Sequence, residues 1–169
     1  RSQADRSAAT RAKVIAAARD VLCAQGYSGA TMHAIRDAVG MSLGAIQHQL
    51  PTKAKIMAAV AAEFSAYRIR VYRDAIRRGA TPRESMENLI DANFQMVSRP
   101  EMAAVLEIHL ARRNDPDLDR EVGPSTRRCD RRVCLWAYAI LHAAGIREDA
   151  AHQSLQLPNN AITRGLTVE

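Results

Sequence analysis

Apolar residues recur along this chain every three or four positions, the interval that gathers side chains on one side of an α-helix. From Thr10 to Gln25 the series runs Val14, Ala17, Ala18, Val21, Leu22 and Gln25, then stops at Gly26, a residue suited to a left-handed cap. Thr31 is placed to cap a second helix, Met32 to Val39, whose apolar side is Met32, Ile35 and Val39. Gly40 turns the chain, Ser42 caps a third helix, and Leu50 before Pro51 ends it. Thr52 opens a long fourth helix to Arg78, with Ile56, Met57, Val60, Phe64, Tyr67, Val71 and Ile76 recurring and Gly79 closing it. At about 1.5 Å per residue that helix runs roughly 40 Å. The stretch TPRE, Thr81 to Glu84, reads as a capping box with proline at the first helical position, and Pro100 and Pro116 start a sixth and a seventh helix. The seventh is expected to be disturbed at Gly123 and Pro124, to resume at Ser125 and to end at Gly145; a last helix from about Arg147 should kink at Pro158.

Composition supports this reading. The 169 residues are 47% hydrophobic, enough for one or two modest cores, and only 4% aromatic, with no run of alternating β-branched residues. An all-α chain is predicted. Cys23, Cys129 and Cys134 show no CxxC spacing and read as reduced, structural thiols. No apolar run approaches the roughly 18 residues of a membrane span, and no apolar signal core precedes the first helix, so a cytoplasmic protein is expected with no membrane partner.

Charge is uneven. Residues 1–55 hold eight Lys/Arg (Arg1, Arg6, Arg11, Lys13, Arg19, Arg36, Lys53, Lys55) against Asp5, Asp20 and Asp37, so they carry +5 of the net +6. That suits a first third that meets a polyanion, or a basic region that only aids solubility. The third helix explains more. It is too short to be stable alone, and it holds Gln47, His48 and Gln49. In a helix-turn-helix unit the second helix is short and exposed because it enters a major groove about 12 Å wide, while the first crosses the backbone and braces it. Ile35, Val39, Met41 and Ile46 would form the small core between the two, leaving Gln47 and His48 outward. Double-stranded DNA is the expected partner.

Over residues 10 to 62 the chain resembles the TetR family of transcriptional repressors, on Gly26 and Tyr27, Thr31, Ile35, Gly40, Ser42, Gly44, His48 and Lys53; further on, only the helical layout and the segment ARRNDPDL, Ala111 to Leu118, look like the family's larger domain. The resemblance implies an N-terminal three-helix helix-turn-helix head, residues 1–52, on a C-terminal helical-bundle domain for ligand binding and dimerisation, residues 53–169. It implies a repressor that binds a palindromic operator as a homodimer and is released by a small-molecule effector. Carried onto this chain, Thr31, His48 and Lys53 contact phosphate, while Ser42, Ala45 and Gln47 face the groove; Gln47 can bond adenine through two contacts. Three positions depart from the family pattern: Leu43 stands for a basic or polar residue, Gln47 for an aromatic and Arg36 for a small alanine. Leu43 cannot pair with phosphate, so affinity should fall unless Arg36, or the arm through Arg6 and Arg11, compensates.

In the body, Phe64, Asn93, Met96, His109 and Trp136 are ligand-pocket candidates from their helix faces, although His109 also reads as a core histidine and Trp136 as a structural one. Leu155, Ile162 and Leu166 form a partial apolar stripe for dimerisation, interrupted by LPNN; against the family layout, which often has another helix, a smaller pairing surface is expected. His33 and His48 lack the i, i+4 spacing of metal ligands on one helix, and no metal or cofactor is expected. There is no GxSxG, Walker loop, dinucleotide fingerprint or HExxH, and no catalytic constellation is read. The alternative is a helical small-molecule-binding protein with a degenerate head that does not bind DNA.

Overall fold

The computed structural model describes residues 2–146. Seven helices follow in order: α1 Gln3–Gly29, α2 Met32–Val39, α3 Leu43–Gln49, α4 Lys53–Arg78, α5 Pro82–Val97, α6 Pro100–Ala111 and α7 Pro116–Ala143. Among the described residues there is no strand, so the all-α class holds. The last helix read from Arg147, its kink at Pro158 and the stripe of Leu155, Ile162 and Leu166 lie outside the described residues.

Helix ends follow local chemistry. Thr31, Ser42 and Thr81 each accept the backbone amide three residues on, from Ala34 at 3.1 Å, Ala45 at 3.2 Å and Glu84 at 3.2 Å. Glu84 reaches past its expected target to the Ala80 amide at 2.8 Å. Three boundaries differ from the sequence reading, the first being the end of α1, which is kinked at Gly26 and continues to Gly29. Helix α1 begins at Gln3, because Ser2 and Asp5 form a reciprocal capping box, Asp5 N donating to Ser2 Oγ at 3.1 Å and Ser2 N to Asp5 Oδ2 at 3.0 Å. Helix α7 runs unbroken through Gly123 and Pro124; an internal proline removes one backbone donor, and the turns on either side carry the helix across.

The described residues form two compact units. One holds the positions up to Phe64 with Arg99–Ser125; the other holds Ser65–Ser98 and the positions from Thr126 on. Packing thus runs across the 52/53 line read from the sequence. The physical reason is the first unit's core, which joins Val14, Ala18 and Leu22 of α1, Ile35, Ile46 and Leu50 to Ile56, Met57 and Val60 of α4, Ile108 of α6, and Leu118 and Val122 of α7. Within it α1 is the hub, packing against α2, α3 and α6. In the second unit, Arg68 is tied to Asp130 and donates to the buried Cys129 sulfur through Nη2 at 3.0 Å, and the Tyr72 hydroxyl donates to Asn93 at 2.7 Å.

Candidate nucleic-acid interface

Helices α2 and α3 are joined through Gly40, Met41 and Ser42. Gly40 has φ 67° and ψ 33°, a left-handed conformation that strains any residue with a Cβ, while nothing lies within 4 Å of where that Cβ would be. The demand there is on the backbone alone. Helix α3 has only seven residues and owes its stability to packing. Ile46 is fully buried and Leu50 nearly so, both in the core with α1 and α2.

The other face of α3 is open. Gly44, Gln47 and His48, at i, i+3 and i+4, are all exposed, and a Cβ at Gly44 would meet nothing within 4 Å. Ser42 is exposed at the helix start, and Leu43 and Ala45 are half-buried on the flanks. His48 Nδ1 lies 3.4 Å from the Gln49 amide nitrogen, and the Gln49 amide oxygen accepts the Ser7 hydroxyl at 3.0 Å. The N-terminal turns of α1 therefore brace the exposed helix. Thr31 is exposed at the start of α2; as its oxygen already caps the helix, its hydroxyl hydrogen is left to donate to an anion.

The basic residues fall into two groups. Arg6, Arg11, Lys13 and Lys55 stand exposed. Arg19 instead pairs with Asp20 at 2.9 Å and Glu63 at 3.5 Å, and Arg36 binds Asp37 through Nε at 2.8 Å and Nη2 at 2.6 Å. Arg36 is thus committed to a carboxylate in the free protein, which leaves Arg6 and Arg11 as the uncommitted members of the compensating set.

Lys53 is held. Its ammonium donates to the Tyr27 carbonyl at 2.6 Å and lies 4.0 Å from the Tyr27 ring centroid. Burial pushes its pKa down, opposed by Asp115. An ammonium has three donors, so two remain for an anion. On the far side of the same residue, Glu107 of α6 accepts the Tyr27 amide at 2.5 Å. The sequence reading missed Glu107, Ser7 and the bracing role of Gln49, because no local spacing connects residues this far apart.

The pocket candidates divide between the units. Buried Phe64 and half-buried His109 belong to the first; buried Met96, half-buried Trp136 and exposed Asn93 belong to the second. Asn93 accepts the Tyr72 hydroxyl, and His109 Nδ1 lies 3.0 Å from Arg112 Nη1. Among the described residues no three His, Cys, Asp or Glu side chains are grouped to hold a metal, and no helix is long and apolar enough to cross a membrane.

A short capped helix with a polar outer face, packed against a second helix across a glycine turn, defines a helix-turn-helix DNA-binding protein. Residues 14–60 match the model of bacterial regulatory proteins, tetR family. The chain is 28% identical, over 99% of its length and 82% of the relative's, to the HTH-type transcriptional regulator CymR of Pseudomonas putida. It is 34% identical, over 69% of its length and 58% of the relative's, to an HTH-type transcriptional repressor of Mycobacterium tuberculosis. Its fold is similar to that of a transcriptional regulator from Rhodococcus sp. Rha1, with a TM-score of 0.70 at 21% identity, covering 92% of this chain and 80% of that one. It is equally similar to the fatty acid degradation regulator FadR from Bacillus halodurans, with a TM-score of 0.70 at 14% identity, covering 93% and 82%. The chain belongs to the TetR family of DNA-binding transcriptional regulators.

Proposed function

We propose that this regulator is a repressor that binds a palindromic operator as a homodimer and lets go when a small-molecule effector enters its helical body. The observation that carries the reading is the exposed Gly44, Gln47 and His48 face of α3, flanked by the helix starts at Thr31 and Lys53. Such a face enters a major groove, and helix starts on either side receive phosphates through backbone amides, hydroxyls and the positive end of the helix dipole. Gln47 is the base-reading residue, able to bond an adenine edge with discrimination of about 1–3 kcal/mol. Thr31, His48 and Lys53 position the head on the backbone, Ser42 and Ala45 face the groove beside Gln47, and Arg6 and Arg11 add charge. The name of the Mycobacterium tuberculosis relative as a repressor supports the direction of control.

For release, helix α4 begins at the end of the head and continues to Arg78 without a break, so an effector bound in the helical body can act on it as a lever. Two recognition helices must stand about 34–36 Å apart to occupy successive major grooves, and a change of a few ångströms weakens binding. Retardation of DNA from upstream of the protein's own gene tests the reading. Saturable, salt-sensitive and sequence-dependent binding, with base preference lost in Gln47→Ala, is the expected result. A carrier with an inactive head would give no sequence-dependent retardation. Sedimentation with the duplex should show two chains per site, and one chain per site would rule out the dimer.

A further inference from the structure

Tyr27 follows the kink at Gly26 in the last turn of α1, and both of its backbone polar groups are taken by charged side chains of other helices. Glu107 of α6 accepts its amide at 2.5 Å, and Lys53 of α4 donates to its carbonyl at 2.6 Å. Charge-assisted bonds of this kind are short and roughly twice as strong as neutral ones. Gly26 precedes it at φ 70° and ψ 178°, a region essentially reserved to glycine, and a Cβ there would stand 2.7 Å from Glu107 Oε2. The backbone angles require glycine here, and its missing side chain leaves room for the carboxylate where the structure places it. From this joint to the N-cap of α2 the backbone is closed by two more bonds, Ala30 N to Gly26 O at 3.0 Å and Thr31 N to Gly29 O at 2.7 Å.

We propose that Glu107 is a positioning residue for DNA binding: by holding the Tyr27 amide it fixes the separation of Thr31 and Lys53, the two helix starts that flank the recognition face. Glu107 touches no DNA. Its carboxylate and the Lys53 ammonium grip opposite ends of the Tyr27 residue, each at the end whose partial charge it complements, so α4 and the start of α2 are held to one joint. Without the carboxylate, the Tyr27 amide loses its partner and the joint is free to turn about Gly26, which moves one phosphate donor relative to the other. The inference rests on reading Thr31 and Lys53 as phosphate contacts. A simpler view, in which Glu107 is a surface charge near a DNA-binding head, predicts the opposite sign, because removing a negative charge strengthens attraction to phosphate.

The test uses fluorescence anisotropy with a labelled duplex selected by the wild-type chain from a random-sequence pool. Glu107→Ala should weaken binding about tenfold, the worth of one hydrogen bond to a charged group, with the slope of log affinity against log salt unchanged. Glu107→Gln keeps an accepting oxygen and should return affinity to within about threefold of wild type. Binding by Glu107→Ala as tight as wild type or tighter overturns the proposal, and so do equal losses in the Ala and Gln variants. Amide hydrogen exchange on the wild-type chain gives a check independent of variant folding: the Tyr27 amide should be protected, and exchange at the rate of an open turn overturns the proposal. Thr31→Ala and Lys53→Ala should each weaken binding, Lys53→Ala also lowering the salt slope by about one. Full binding by both, beside a weakened Glu107→Ala, overturns the phosphate reading of these two residues and leaves the hold of Glu107 on Tyr27 standing.

Discussion

The two units differ in how they treat apolar side chains. All of the largest fully buried side chains, Leu22, Ile35, Ile46, Ile56, Met57, Ile108, Leu118, Val14 and Val122, belong to the first. Of the large exposed ones among the described residues, only Leu110 does; Ile90, Phe94 and Val97 of α5, Leu135 and Tyr138 of α7, and Ile146 belong to the second. The second unit relies instead on an internal polar anchor, Arg68 with Asp130 and Cys129. A closed hydrophobic core keeps a short DNA-reading helix in one orientation, since neither α2 nor α3 is long enough to hold itself. The open apolar side chains of the second unit are available to a further partner, as the proposed homodimer would require.

The sharpest way to break this contrast is a pair of truncations. Ile46→Ala removes a fully buried side chain and should cost about 2–5 kcal/mol, whereas Phe94→Ser, at a residue 70% exposed, should stay within about 0.5 kcal/mol. Urea denaturation measures both, and comparable losses would mean that the α5 face is covered in solution. Next in size is Arg68→Met, which leaves the largely buried Asp130 carboxylate without its guanidinium and should cost roughly 2–3 kcal/mol. Adding Asp130→Leu should recover most of that loss if the cost is an unpaired charge. Gly44→Ala works in the opposite sense: its new methyl meets nothing, so the head should gain about 0.5–1 kcal/mol of stability, while the added bulk on the groove face weakens operator binding.

The smallest effect should come from the first unit's surface pair. The hydrogen bond from Arg99, followed by a backbone bond, holds the Glu101 pKa below the ordinary 4.5. A depressed carboxylate contributes stability that is present above that ordinary value and lost as pH falls through the folded one. The difference in melting temperature between wild type and Glu101→Gln should therefore vanish as pH drops from about 6 to about 3, with a small amplitude because the pair is solvated.

What the sequence revealed and what it hid have the same cause, the range over which each interaction acts. Thr31, Ser42 and Thr81 cap helices three residues away, so those starts can be read locally, as can the alternation that buries Ile35 and Ile46 and leaves Gln47 and His48 outside. The start of α1 was hidden, since Ser2 and Asp5 cap a stretch, Gln3 to Ala9, that is exposed and has no apolar period to announce it. Pro124 suggested a break because the rule counts its missing donor and cannot weigh the intact turns around it. The hold on Tyr27 comes from residues 26 and 80 positions away, and no spacing rule reaches so far. For the pocket candidates, a helix face says which side is apolar and not which neighbour it meets.

The bond from Ser7 to Gln49 reaches further than bracing. With its oxygen engaged by the serine, the Gln49 amide can offer His48 only its nitrogen, and a nitrogen of that kind gives hydrogens without receiving them. In the orientation the structure gives that amide, a neutral His48 ring receives at Nδ1 and carries its proton on Nε2. A serine in the first turns of α1 thereby biases the tautomer on α3, and nitrogen-15 chemical shifts of His48 should differ between wild type and Ser7→Ala.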